Sequence, residues 1–388
     1  MSIGAVSSVE ATHATPAAVY GHNSSRNNYA AIGTEGVYGS NPLNGSVANS
    51  DSNPVAGNNG LYNSLNYNQN MTVLMGAGHG DYNSSGVYNT GASDNYVGGT
   101  AAWNDIKDGA APNGWTFVDQ KADFEAIANG TNVPTKLLGI AQVNTTLQND
   151  RAGLAADANN PSGMAYIAGV PTLTTMTSAA LNVLGQNSDG FAVMIEGGAI
   201  DWANHSNNIG RMIEEQLDFD NSVAAAVAWV EANSNWNDTL LIVTADHETG
   251  NLWGDGTYTD INADGNYDPG IDTFNGYQQV TATGTDVLTG VQYLSGDHTN
   301  ALVPLYAKGA GSERFADHVI GQANIADYYG ATGFSANHDY IDNTSIYNVM
   351  MDATAIRDIP EPASLALIAL GGLTMLRGLG RGRCNRRA

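Results

Sequence analysis

The chain has 388 residues, enough for one large α/β domain with a sizeable core or for two small ones. Its formal net charge is −24, only 13% of its residues are charged, and Gly, Asn, Ala, Ser and Thr dominate. A surface that acidic repels nucleic acid and anionic membrane, which excludes both as stable partners, and it holds cations in its ionic atmosphere.

The N-terminal stretch from Met1 to Glu10 has neither the basic start nor the apolar centre of a secretory leader. It predicts a short strand followed by a helix opening near Pro16, as in the interior of a domain. The expectation is that part of the same fold lies upstream. Residues 38–68 and 80–100, rich in Asn, Gly and Ser, predict long surface loops around a buried strand at Val73-Leu74-Met75. Pro171 to Leu184 predicts a helix with Pro171 in its first turn.

The apolar run Phe191 to Ile195 predicts a buried strand that ends at Glu196. Asp201 and His205 follow, four residues apart, so on a helical turn they face the same way and can share a metal. Alone, the pair reads more readily as a helix-start acid and a surface histidine. Ile209, Met212, Ile213, Leu217, Val223, Val227 and Val230 then recur at helical spacing.

Leu240 to Val243 predicts a further buried strand, running into Asp246-His247. Adjacent strand residues point oppositely, so both reach one site only where the strand breaks into a loop, and Gly250 suits that break. In 254–274, Asp260, Asn262, Asp264 and Asp268 place oxygen ligands at positions 1, 3, 5 and 9 of an EF-hand-type calcium loop, with Gly265 at position 6. The closing bidentate Glu is missing, and Asp272 lies one residue late. A solvated Asp/Asn/Gly turn explains the composition equally well. His298, before a strand predicted at Leu302 to Ala307, is a lone candidate ligand, and lone histidines are more often structural. Strands alternating with helices indicate an α/β domain with a largely parallel sheet. Ligand-type residues just after strand ends sit where sites form in such sheets.

The chain ends in Pro360-Glu361-Pro362, an apolar run from Ala363 to Leu376, and Arg377, Arg381, Arg383, Arg386 and Arg387. The run is shorter than the roughly 20 residues a membrane span needs, and apolar followed by basic is a stop-transfer pattern. The one cysteine, Cys384, lies in this tail, so no disulfide forms within the chain. The tail resembles the PEP-CTERM sorting signal of Gram-negative bacteria, which an exosortase-type enzyme recognises and removes. That resemblance implies export to the cell surface or extracellular matrix and membrane contact only in transit.

Four segments taken together, in order, resemble the alkaline phosphatase family. They are Thr12-His-Ala-Thr-Pro16 with Arg26 downstream, Glu196-Gly-Gly-Ala-Ile-Asp201 with His205, Thr244-Ala-Asp-His-Glu-Thr-Gly250, and Gly296-Asp-His-Thr-Asn300. The resemblance runs from about Val6 to Ala353. It implies a three-layer α/β sandwich around a central, largely parallel sheet over residues 1–355, truncated at its start, with a sorting tail over 356–388. By match, Asp201, His205 and His298 would bind one Zn2+, and Asp246 and His247 a second. Glu196, Thr15 and His13 would lie at a neighbouring Mg2+ site. Histidine at position 13, in place of a carboxylate, softens that third site toward zinc or cobalt. Arg26 matches the arginine that grips the phosphate of a monoester substrate. Trp202 stands where other members carry Lys or His, and its indole cannot hold a phosphate-bound water by charge.

The family's reaction passes through a phosphoserine, and the serine of its Asp-Ser-Ala segment would lie upstream of Thr12, as would an aspartate bridging two of the metals. Neither segment is in this chain. Asp51-Ser52 lies in a Gly/Asn-rich loop and Thr177-Ser178-Ala179 inside a predicted helix, so neither substitutes for them. The expectation is weak metal binding and poor hydrolysis, with a non-catalytic metal-binding surface or matrix protein as the alternative. A phosphodiesterase or sulfatase of the same superfold fits the first segment less well. A homodimer is a family expectation.

Overall fold

The computed structural model describes residues 1–21, 25–29, 32, 71–89, 95–109, 114–151, 163–284, 287–288, 290–324 and 337–353. The loop predicted at 38–68, with Asp51-Ser52, and the tail 356–388 lie outside these residues. The chain forms two compact units. The larger holds Met1–Ser234 and Ala245–Val303, and the smaller holds Asn235–Thr244 and Pro304–Ile325 together with the C-terminal segment from Ala336.

In the larger unit the elements alternate: β1 (Ser2–Glu10), α1 (Ala14–Tyr20), β2 (Met71–Ala77), α2 (Gly99–Lys107), β3 (Thr116–Val118), α3 (Lys121–Ala128), β4 (Leu137–Ile140), α4 (Leu173–Leu184), β5 (Phe191–Glu196), α5 (Ala199–His205) and α6 (Ile209–Asn233). The five strands make one sheet in the order β3-β4-β2-β1-β5, and every neighbouring pair is parallel. The inner strands β2 and β4 are buried on both faces, which is why they read as apolar runs without alternation. Successive side chains point to opposite faces. Val6, Val73, Met75 and Leu137 pack with Phe124 of α3 and Met176 of α4. Ala5, Leu74 and Leu138 pack with Tyr20 of α1 and with Trp103 and Ile106 of α2. Helix, sheet and helix form three layers, the architecture the sequence predicts.

Local chemistry fixes the helix ends. Thr172 caps α4 by accepting a hydrogen bond from the Thr175 N–H. Pro171 therefore precedes the cap and does not occupy the first turn. Asp218 of α6 accepts the Leu173 N–H at 2.8 Å and the Thr174 N–H at 3.2 Å, filling donors that a helix start leaves unpaired. Gly76 is demanded by close approach, because a Cβ there would lie 2.6 Å from the Ala11 backbone nitrogen. The predicted loop 80–100 is not wholly irregular: it holds a 3₁₀ turn at Asn95–Val97 and opens α2 at Gly99.

β1 pairs β2 on one side and β5 on the other, so the chain's progress across the sheet reverses at the β1–β5 boundary. In open parallel sheets the crevice beyond the strand ends at such a point receives ligands. Glu10 ends β1, and Glu196 ends β5. β5 is the outer strand, and all six of its residues are partly exposed.

Within the smaller unit, β6 (Leu240–Thr244) pairs antiparallel with Leu305–Gly309. The strand predicted at Leu302 thus begins three residues later. Val319–Asn324 and Asn337–Ile341 form an antiparallel pair, and a helix spans Thr344–Ala353. No helix among the described residues is long and apolar enough to cross a membrane.

Candidate metal centre

Two residues, Gly197 and Gly198, separate the end of β5 from α5, which is two turns long. Its i,i+4 spacing puts Asp201 and His205 on one face, with His205 Nε2 3.4 Å from Asp201 Oδ2. His298 comes from far along the chain. Its two-residue strand His298–Thr299 pairs antiparallel with β7 (Glu248–Thr249), with His298 opposite Thr249. The ladder is held by Thr299 Oγ1, which donates to Glu248 Oε2, while Glu248 Oε1 accepts the Asn251 N–H. His298 Nε2 thereby lies 3.3 Å from Asp201 Oδ1 and 3.0 Å from His205 Nε2.

Two imidazole nitrogens face each other beside a carboxylate, and the ligand atoms of the three residues all lie within 4.8 Å of one another. His205 Nδ1 is 2.6 Å from the Gly296 carbonyl, which can only accept, so Nδ1 carries the proton. Neutral His205 therefore presents the Nε2 lone pair inward, as a metal ligand requires. These donors fit a divalent cation of zinc type, two imidazoles and one carboxylate with an open fourth position.

The other predicted ligands lie around this group. The His247 ring stacks on His298 with centroids 3.6 Å apart, and its Nε2 is 3.3 Å from Asp246 Oδ2. Gly250, at φ +90°, turns the chain just after the pair. Thr249 Oγ1 donates to Asp201 Oδ1 at 2.5 Å and lies 3.3 Å from His247 Nδ1.

Glu196 accepts the Ser7 hydroxyl at 2.5 Å, a contact the parallel β1–β5 register provides by setting Ser7 beside Glu196. Burial pushes the Glu196 carboxyl up, hydrogen bonds from Ser7 and Thr15 oppose this, and the Asp246 and Asp201 charges push it up further. His13 stands just before α1. Burial, then the Arg26 charge, holds its imidazole down at about 4, so it is neutral at pH 7. Arg26 Nη2 donates to His13 Nε2 at 3.3 Å, which leaves the Nδ1 buried without a hydrogen-bond partner. With Nε2 accepting from Arg26, the neutral ring carries its proton on Nδ1, so that nitrogen is an unpaired donor, and a cation at His13 requires the Arg26 contact to give way. The Trp202 ring meets His13 edge-on at 5.6 Å.

All eight predicted metal-site residues and Arg26 are thus near the β1 and β5 ends and in one another's field. The four calcium candidates lie elsewhere, between the paired strands Tyr258–Thr259 and Thr273–Phe274. There the Asp260 carboxylate accepts the Ala263 and Gly265 N–H groups, and Asp264 accepts that of Asn266. Asn262 Nδ2 donates to Asp264 and Asp268. Ser178, as predicted, is inside a helix, donating to the Thr174 carbonyl within α4.

Sequence reasoning missed Ser7, Thr249 and the Gly296 carbonyl. Thr249 lies inside a motif already singled out, while Ser7 shows only through strand register. It also missed a polar cluster at the ends of β2 and β3. There buried His79 accepts the Asp81 N–H at Nδ1, and its Nε2 lies 3.3 Å from Asp119.

The profile of the family described as "Alkaline phosphatase" matches residues 1–344. Alkaline phosphatase 3 of Bacillus subtilis is 27% identical over 257 residues, covering 66% of this chain and 42% of that protein. Alkaline phosphatase of Escherichia coli is 27% identical over 254 residues, covering 64% and 49%. The crystal structure of the Thermus thermophilus alkaline phosphatase superposes with a TM-score of 0.51 at 20% identity, covering 91% of this chain and 70% of that one, a likeness of fold. The chain spans about half the length of these two curated relatives. With the family profile matching nearly nine-tenths of its length, the chain belongs to the alkaline phosphatase family.

Proposed function

We propose that this chain carries the metal- and phosphate-holding part of a metal-dependent phosphomonoesterase. The observation that carries the reading is the meeting of Asp201, His205 and His298 around one point, with the His205 tautomer already set. Asp201, His205 and His298 hold one zinc, Asp246 and His247 a second, and Glu196, Thr15 and His13 the neighbouring site. His13 favours zinc or cobalt over magnesium there. Bound metal supplies Lewis acidity toward the oxygens of a phosphoryl group. Arg26 is exposed beside His13, and its planar fork suits two non-bridging phosphate oxygens. Neutral His13 adds no charge against the Arg26 guanidinium, and Glu196, held by two hydroxyls, keeps its place without consuming Arg26.

No Asp-Ser-Ala segment occurs within residues 1–388, so what is assigned to these residues by themselves is metal and phosphate binding. The test is hydrolysis of p-nitrophenyl phosphate by the purified chain at alkaline pH with zinc and magnesium, beside binding of inorganic phosphate. Phosphate binding with little turnover is expected. Ordinary turnover would overturn the account of the nucleophile, and loss of both would overturn the whole reading.

The converging ligands Asp201, His205 and His298 also suit a second reading, a non-catalytic metal-binding surface or matrix protein derived from a phosphatase. Within the same proposal, 1–355 is the phosphatase domain and 356–388 an exosortase-recognised sorting tail that directs export. Asp260, Asn262, Asp264 and Asp268 form a calcium loop. A homodimer is the assembly. Calcium should raise the melting temperature of the full chain and lose that effect in Asp264→Ala; no shift in either ends the calcium assignment.

A further inference from the structure

Thr249 touches one ligand from each of the two sets just assigned. Its side chain is nearly buried, at 8% residue exposure, and its hydroxyl lies 2.5 Å from Asp201 Oδ1 and 3.3 Å from His247 Nδ1. A hydroxyl has one proton to give and two lone pairs that accept. An ionised Asp201 can only accept, so the Thr249 proton goes to Asp201. Toward His247 the hydroxyl then has only lone pairs to offer, so their 3.3 Å contact is a hydrogen bond when His247 Nδ1 carries the N–H. That leaves the His247 Nε2 lone pair facing Asp246 Oδ2 at 3.3 Å, two electron-rich atoms that a cation can hold together. The hydroxyl also pins Asp201 Oδ1, which fixes the carboxylate's rotation and leaves Oδ2 toward His205. One proton placement thus sets the orientation of a ligand in the first set and the tautomer of a ligand in the second.

Pairing orients the hydroxyl. Thr249 lies in β7, opposite His298, so the ladder that delivers the third ligand also fixes the threonine backbone. Gly250 follows with φ +90°, and a Cβ there would meet the Tyr293 ring at 2.7 Å, so the turn that ends β7 is tightly fixed too.

We infer that Thr249 is a positioning residue that couples the two zinc-ligand sets through a single hydroxyl, an inference that rests on the two-zinc reading above. Outer-shell partners of this kind are worth about 10- to 100-fold in metal affinity. Thr249→Val keeps the β-branched shape and removes the hydroxyl. Thr249→Ser keeps the hydroxyl.

The experiment is equilibrium competition for zinc between the full-length chain and a chromophoric chelator, for wild type, Thr249→Val and Thr249→Ser. It is accompanied by the 15N shifts of the His247 ring in the metal-free chain. Thr249→Val is expected to weaken both zinc equivalents by about 10- to 100-fold. Thr249→Ser should restore most of that affinity. His247 should be the Nδ1–H tautomer in wild type and a tautomeric mixture in Thr249→Val. Equal zinc affinity in wild type and Thr249→Val overturns the inference, as does a His247 ring with its proton on Nε2 in wild type. If wild type takes up no pair of zinc ions, the two-zinc reading fails instead, and the His247 shifts still decide the tautomer. Should Thr249→Val not fold, Thr249→Ser and the wild-type tautomer carry the test, and a serine variant with greatly weakened zinc binding overturns it.

Discussion

Two regions of this chain carry clustered metal-ligand residue types, and they are built differently. At the ends of β1 and β5, side chains from four separate segments meet, and their hydrogen bonds point donor atoms at one another. His205 and His298 face nitrogen to nitrogen at 3.0 Å, a contact that costs energy unless a proton or a cation lies between. In 254–274 the candidate oxygens come from one short loop, and backbone N–H groups already fill the Asp260 carboxylate. In the first region either a proton on His298 Nε2 joins the two rings or a cation takes its place. The second is satisfied in part as a chain of Asx turns. Ligand spacing in sequence does not separate the two cases; the convergence of ligand atoms from distant segments on one point does.

The largest expected effect is in the first region. His205→Ala removes one of three converging ligands and should lower zinc affinity by at least about 100-fold, read by chelator competition. The same change should leave any calcium-dependent shift in melting temperature untouched, which keeps the two regions independent. Arg26→Ala should weaken inorganic phosphate binding by roughly 10- to 100-fold, since charge-assisted hydrogen bonds are worth about 1.5–3 kcal/mol, and should leave zinc affinity nearly unchanged. Titration calorimetry on the zinc-loaded chain measures both. Asp264→Ala is the smaller counterpart: zinc affinity stays the same, and only the response to calcium is lost.

A further effect comes from α6. Glu215 is buried, and burial first, then the Asp218 charge, pushes its carboxyl up to about 8. Between about pH 4.5 and 8 the folded chain holds a proton there that the unfolded chain has released. Its contribution to stability is therefore complete below about 4.5 and is lost as pH rises through 8. Glu215→Gln should flatten the fall in melting temperature from pH 6 to pH 9 by several degrees, seen by calorimetry.

Part of the fold was legible because the inner strands β2 and β4 are buried on both faces and read as apolar runs. The partly exposed outer strand β5 and the separate strand β6 are apolar runs as well, and 191–195 and 240–243 differ from them by one residue. Helix ends were less legible. Pro171 sits before the cap of α4 because Thr172 and Asp218, the latter 46 residues further on, settle where that helix begins. The order of the four ligand motifs pointed to the candidate site residues. Their geometry was not legible, because it depends on contacts between distant segments: Ser7 meets Glu196 through strand register, and His298 reaches Asp201 through a two-residue ladder. Thr249 was inside a motif singled out from the start, but its hydroxyl acquires meaning only when Asp201 and His247 stand on either side of it.

The central claim is that Asp201, His205 and His298 form a metal centre. Equilibrium zinc competition on the full-length chain, wild type beside His205→Ala and His298→Ala, tests it most directly. The account predicts zinc uptake by wild type that each substitution lowers by about 100-fold or more. Zinc binding of equal strength in all three proteins would contradict it.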